Sequence, residues 1–207
     1  MIAGDNVISI ESAGPKARAR RITFASGETL TLPNMVLRAL NIRVGQMSDR
    51  ADIQGAVAEV APEMARERAL AIVGYRERST TELRCALVDE GFERGIVDAL
   101  VARFVELALV DDERFARMYA RSRLSSGRGT RLILRELADK GIDAEIAARV
   151  VESASEFDEV TRARQCIRNA VPSDRRERER LLRRLLARGF DMGTALAALE
   201  RPTDQQL

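Results

Sequence analysis

Between Arg114 and Arg135 the chain carries seven arginines (Arg114, Arg117, Arg121, Arg123, Arg128, Arg131 and Arg135) and no acidic residue. The guanidinium group is planar, forked and always charged, so such a cluster suits bidentate contact with phosphates or carboxylates. Seven like charges over 22 residues repel one another unless an anionic partner answers them, or acids elsewhere in the fold such as Asp89 or Glu90. A second basic run, with Arg175, Arg176, Arg180, Arg183 and Arg184 at its centre, is diluted by Glu177 and Glu179. It reads either as a solvated helix with i, i+4 pairing or as a secondary part of the same anion-binding surface.

Other chemistry is poorly supported. There is no histidine, which removes the commonest general base and metal ligand. The two cysteines, Cys85 and Cys166, lie in helical patterns without metal-ligand spacing and are expected to be small buried residues. Asp111 and Asp112 are better explained by helix capping than by a metal. Gly127-Arg128-Gly129-Thr130 is a turn before a helix whose N–H groups could take a phosphate, but it lacks the GxxxxGK[ST] pattern, and a plain helix–helix turn is favoured. No nucleophile–base pair, metal cluster or cofactor motif is visible, so neither catalysis, a cofactor nor a small-molecule substrate is expected.

The elements that must position these arginines are mostly helices. The chain has 207 residues, 45% apolar and 32% charged, with a net charge of only +2, so the location of charge matters more than its sum. Aromatic content is 4% with no Trp, which argues against base stacking as the main mode of binding. No apolar run reaches the length of a membrane span and no signal peptide is visible, so a cytoplasmic protein is expected.

Residues 1–62 read as a small α/β extension. Val7–Ile10 is a candidate strand, and Arg21–Ala25 and Glu28–Leu32 flank Ser26-Gly27 as a β-hairpin. Pro33 opens a short helix. Ser48 or Asp49 caps a second helix running through Val60, with Pro62 following it. Lys16–Arg21 is a basic loop, either solvated or an electrostatic contact.

The remainder repeats. Leu83, Leu87, Gly91 and Phe92 match Ile133, Leu137, Gly141 and Ile142, which match Leu181, Leu185, Gly189 and Phe190; the glycines are 50 and then 48 residues apart. Each glycine ends a helix, and the apolar residue after it folds back on the last turn. Three three-helix units are expected, over 63–110, 111–157 and 158–207. The fold class is therefore mainly α: three tandem three-helix repeats forming an elongated curved array, preceded by a small β-hairpin and helix unit. In the helix from Asp112 to Leu124, Phe115, Met118, Tyr119 and Ser122 share one face. Arg114, Arg117 and Arg121 share another, within about 60° of each other. The first face is assigned to packing, with the Tyr119 hydroxyl at its edge.

Several motifs in order carry a family resemblance: Tyr75-Arg76-Glu77-Arg78-Ser79 with Glu82-Leu83-Arg84, Leu87 with Gly91-Phe92, Leu109 to Ala116, Arg121-Ser122-Arg123, Gly127-x-Gly129, and Leu137 with Lys140-Gly141-Ile142. This pattern resembles the RecX family, over roughly residues 64–200 and most strongly over 75–145. The resemblance implies a curved, all-helical protein that is not an enzyme. It implies binding along the RecA filament on single-stranded DNA, and negative modulation of ATP hydrolysis, strand exchange and coprotease function, in DNA repair, homologous recombination and the SOS response. A monomer suits such a partner. The alternative is a helical-repeat protein that binds single-stranded DNA without RecA.

Overall fold

Alternation of β-branched and polar residues near the N-terminus produces strands, and the long i, i+4 apolar patterns after it produce helices. The structure, a computed structural model, describes residues 5–13, 18–155 and 157–200. It is mainly helical with one small antiparallel sheet, and it divides into two units, 1–111 and 112–207. No described helix is long and apolar enough to cross a membrane.

In the first unit, β1 (Val7–Ser12), β2 (Ala19–Phe24) and β3 (Thr29–Pro33) form a sheet in the order β1-β2-β3. Ile10 pairs with Ile22, and Ile22 with Leu30. The expected hairpin is present between β2 and β3. The expected basic loop is not a loop throughout: Ala19, Arg20 and Arg21 belong to β2, while Lys16 and Ala17 lie outside the described residues. Four helices follow: α1 (Asn34–Ala39), α2 (Arg50–Tyr75), α3 (Thr80–Asp89) and α4 (Arg94–Glu106).

The helix break expected at Pro62 does not occur. α2 runs unbroken through Pro62, capped at its start by Asp49, whose carboxylate accepts from the Asp52 N–H at 2.8 Å. A proline ring fixes φ near the helical value and costs one backbone hydrogen bond. Here Pro62 is exposed, while Ala61, Ala65, Ala69 and Ile72 are buried. That small-residue seam holds the helix together where local propensity would end it. It also places the expected division at residue 62 inside one helix. Val7, Ile22, Phe24 and Leu32 of the sheet share a single core with Leu83, Leu87, Val97 and Phe104 of the first helical unit.

Glu90, only 5% exposed, fastens this core from the side. It accepts from Arg18 at 2.6 Å, and Arg68 approaches it with two nitrogens, Nε at 2.8 Å and Nη2 at 2.7 Å. The Glu90 hydrogen bond, more than any other influence, holds the Arg68 guanidinium above its ordinary pKa. Next to it Gly91 has φ +97°, and a Cβ there would lie 2.9 Å from Ala19 Cβ and 3.0 Å from the Leu32 carbonyl carbon. The sheet is seated directly on that glycine.

The second unit contains α5 (Asp112–Ser125), α6 (Thr130–Ala138), α7 (Ala144–Ala154), α8 (Glu159–Cys166), α9 (Arg175–Ala187) and α10 (Met192–Leu199). Phe115, Ala116, Ala120, Ile133, Leu137, Ile142, Val150 and Val151 form one cluster. Ala163, Ile167, Leu181, Leu185, Phe190, Ala195 and Leu199 form another. The glycine repeat holds in all three places. The N–H of Phe92 returns to the Leu87 carbonyl at 3.2 Å, that of Ile142 to Leu137 at 3.1 Å, and that of Phe190 to Leu185 at 3.2 Å.

The two clusters meet backbone to backbone. A Cβ on Gly129 would lie 2.3 Å from the Gly189 carbonyl carbon and from the Phe190 nitrogen. The Gly129 N–H donates to the Arg188 carbonyl at 2.9 Å, and Arg188 Nη1 donates to the Ser126 carbonyl at 3.1 Å. Gly127-x-Gly129 is thus a packing device and not a phosphate loop. All four of its N–H groups, from Gly127 to Thr130, donate to acceptors within the protein: Leu124, Arg123, Arg188 and the Glu159 carboxylate.

Three substitutions test this account. Gly129→Ala overpacks a backbone contact that cannot yield and should lower unfolding free energy by about 1–3 kcal/mol in urea denaturation. Glu90→Gln removes the charge from a buried acceptor of two arginines and should cost about 1–3 kcal/mol. Pro62→Ala should instead stabilise the chain, by about 3 kcal/mol at most, with unchanged helical circular dichroism.

Candidate functional site

α5 forms because Asp112 and Glu113 place negative charge in its first turn and Arg123 places positive charge in its last. Its packing face is narrower than expected. Phe115, Ala116 and Ala120 are buried and Tyr119 is half-buried, but Met118 is 52% exposed and Ser122 is exposed too. The reason lies in the two alanines: a small-residue seam lets α7 approach closely, and the contact centres on Ala116 and Ala120 instead of on the larger side chains. Met118 therefore joins the outward face, about 40° from Arg114 and about 60° from Arg121 around the helix.

The seven arginines fall into distinct situations. Arg117 pairs with Glu113 at 2.8 Å, and Glu113 also takes Arg149 at 3.0 Å. Arg123 is structural. It donates to the Tyr119 hydroxyl at 2.8 Å and lies 4.7 Å above that ring. Its Nε stands 2.9 Å from Glu136 Oε2, as an ion pair and not an aligned hydrogen bond. The Tyr119 hydroxyl, at the edge of the packed face, donates in turn to Glu136 at 2.9 Å. The hydrogen bond to Tyr119 is the main cause holding the Arg123 guanidinium above its ordinary pKa. Arg114 is half-buried. Arg121, Arg131 and Arg135 are exposed and Arg128 is half-buried, and none of these four has a carboxylate within ion-pair distance among the described residues. Arg131 and Arg135 stand one turn apart on α6, opposite its buried Ile133 and Leu137.

Of the acids named as possible counter-charges, Glu90 is engaged within its own unit by Arg18 and Arg68. The second run behaves largely as a solvated helix. Arg175 pairs with Glu179 at 3.0 Å, Arg180 with Glu177 at 3.1 Å, and Arg183 Nε donates to the Glu179 carbonyl at 3.3 Å. Arg176 and Arg184 are exposed, while Leu181 and Leu185 supply the buried side of α9. Cys166 is half-buried and Cys85 is exposed, against the expectation that both are buried, because Cys85 sits on the side of α3 away from Leu83 and Leu87. Among the described residues no group of three or more potential ligands could hold a metal ion.

Sequence reasoning passed over two residues near this face. Arg162 of α8 reaches back to α6, donating to Thr130 Oγ1 at 2.9 Å and to the Arg128 carbonyl at 3.3 Å. Phe157, between α7 and α8, is exposed. Neither has a local signal, because only the α7–α8 connection brings them beside α5.

Comparison with known proteins bears on the whole arrangement. Residues 65–104 match the family model described as RecX, first three-helix domain, and residues 111–151 match RecX, second three-helix domain. The chain is 36% identical over 157 residues to a protein named Regulatory protein RecX from Mycolicibacterium vanbaalenii, covering 67% of this chain and 85% of that one. It is 34% identical over 155 residues to the protein of the same name from Halorhodospira halophila, covering 72% of this chain and 96% of that one. A crystal structure of regulatory protein RecX shares the fold with a TM-score of 0.60 at 18% identity, over 94% of this chain and 98% of that one. The RecX structure from Lactobacillus salivarius gives 0.57 at 22% identity, over 67% of this chain and 94% of that one. With the two domain models in order, the glycine-ended helices in place and relatives above 30% identity covered over most of their length, this chain belongs to the RecX family.

Proposed function

We propose that this protein binds the RecA filament on single-stranded DNA and lowers RecA activity in ATP hydrolysis, strand exchange and coprotease function. The observation that carries the reading is the set Arg121, Arg128, Arg131 and Arg135, left without a carboxylate among the described residues. A fold that pairs Arg117, Arg123, Arg175 and Arg180 internally has acids to spare for some arginines and withholds them from these. Charge of this kind favours an extended anionic partner, met through DNA phosphates, acidic protein surface or both. Family membership supports RecA as that partner. The role is one of binding and regulation, with no catalytic step assigned, and α8, α9 and α10 act as a third helical unit beside the two matched domains.

The test is RecA ATPase on single-stranded DNA, titrated with this protein at two salt concentrations, beside binding to the same DNA without RecA. Inhibition should appear at concentrations well below those that coat bare DNA. Coating at the same concentrations, with a steep loss of affinity in salt, would assign a DNA binder that acts without RecA. Absence of inhibition at every concentration sinks the reading. Arg121→Glu combined with Arg131→Glu and Arg135→Glu should abolish inhibition at an unchanged melting temperature. Arg123→Ala should instead lower stability by about 1 kcal/mol through loss of its bonds to Tyr119 and Glu136.

A further inference from the structure

Arg128 stands in the turn between α5 and α6, and its backbone is tied from both sides. Its N–H donates to the Arg123 carbonyl of α5 at 3.1 Å. Its carbonyl accepts from Arg162 Nη1 of α8 at 3.3 Å. Arg162 Nη2 donates in addition to Thr130 Oγ1 at 2.9 Å. Glu159, one turn earlier on α8, accepts from the Thr130 N–H at 2.8 Å. Earlier in the turn, Arg188 Nη1 donates to the carbonyls of Ser126 and Gly127 at 3.1 and 3.4 Å. Three side chains that follow the second matched domain, Glu159, Arg162 and Arg188, therefore close on the stretch from Ser126 to Thr130.

Arg162 is an expensive residue to use for packing alone. Its side chain is 11% exposed, and burial pushes its guanidinium below the usual pKa, yet an arginine keeps its proton at neutral pH. The carboxylate it faces, Glu159, stands 3.8 Å away and is already engaged by the Thr130 N–H. A buried guanidinium paired at that distance gains little stability over an apolar side chain of similar length. What an apolar side chain cannot supply is two N–H donors to the turn. Their effect bears on binding: an arginine on a loose turn loses freedom when it meets its partner, and a turn fixed beforehand avoids that loss.

We propose that Arg162 is a positioning residue for the arginine face: it touches no partner itself, and it holds the Arg128 backbone so that the Arg128 side chain is presented to the anionic partner. The third helical unit thus sets the geometry of a binding surface whose arginines lie in the matched domain before it. The proposal rests on the reading above, in which Arg128 meets that partner.

The test is a double-mutant cycle on RecA ATPase, with the full chain carrying Arg128→Ala, Arg162→Met or both. Each single substitution should raise the half-inhibitory concentration about tenfold. The double variant should be no worse than either single one, because both remove the same contact. A double variant about a hundredfold weaker than the parent would give Arg162 a partner contact of its own and overturn the proposal. Unchanged inhibition by Arg162→Met at a lowered melting temperature would overturn it too, as the mark of a purely structural residue. Thr130→Val removes only the hydroxyl that Arg162 donates to, and should weaken inhibition in the same direction. It carries the test if Arg162→Met does not fold, and full inhibition by it then sinks the proposal. Amide hydrogen exchange over residues 126–130 should quicken in either variant without change at Phe115–Ala120; unaltered exchange at the turn counts against positioning. The two readings fail separately. No inhibition by the unaltered protein removes the filament reading. The same cycle, read by anisotropy on oligothymidylate, then decides this one, with additive effects or no binding overturning it.

Discussion

A methyl group at Gly129 would meet the backbone of Gly189 and Phe190 at 2.3 Å, and this lack of space governs how α6 meets the turn after α9. The same constraint recurs in the first unit, where Ala19 and Leu32 of the sheet press on Gly91. Gly91 and Gly189 each end a helix in the left-handed region and also offer a surface without a side chain to the next element, whereas Gly129 stands in extended backbone at the start of α6. One residue type therefore does two things. It stops the helix, and it lets a neighbouring backbone come close enough to bond, as the Gly129 N–H does to the Arg188 carbonyl at 2.9 Å. The turn at Gly127–Thr130 is committed to that packing, which is why it has no N–H left for a phosphate.

Once the helices are seated in this way, the charges divide according to where acids happen to lie. Glu90 is drawn between Arg18 and Arg68, Glu136 stands beside Arg123, and Glu113 is shared by Arg117 and Arg149. α9 pairs with itself at i, i+3 and i, i+4, a solvated arrangement that contributes little to stability. Arg121, Arg131 and Arg135 remain exposed on α5 and α6 without a carboxylate partner among the described residues. Their placement follows from a packing face centred on Ala116 and Ala120, which turns the neighbouring positions outward.

Much of this was legible before any coordinates. The glycine register at 91, 141 and 189, the hairpin around Gly27, and the caps at Asp49, Ser79 and Asp143 all depend on contacts within a few residues, so local sequence specifies them. Where the reading failed, a distant contact had overruled a local rule. Pro62 marks a helix end by its own chemistry, but the buried alanines Ala61, Ala65 and Ala69 of α2 carry the helix through it. Met118 fits an apolar stripe by spacing, but the alanine seam leaves it in solvent. Cys85 is small and apolar, yet faces away from the core.

The sequence by itself determined the helical repeat, the family and the existence of an acid-free arginine cluster, because periodicity, motif order and composition are properties of the chain alone. Tertiary structure decided which of those arginines are available, because pairing depends on carboxylates and hydroxyls such as Glu136 and Tyr119 that lie elsewhere in the chain. It also decided that Arg162 reaches the turn carrying Arg128, since only the path from α7 to α8 brings it there.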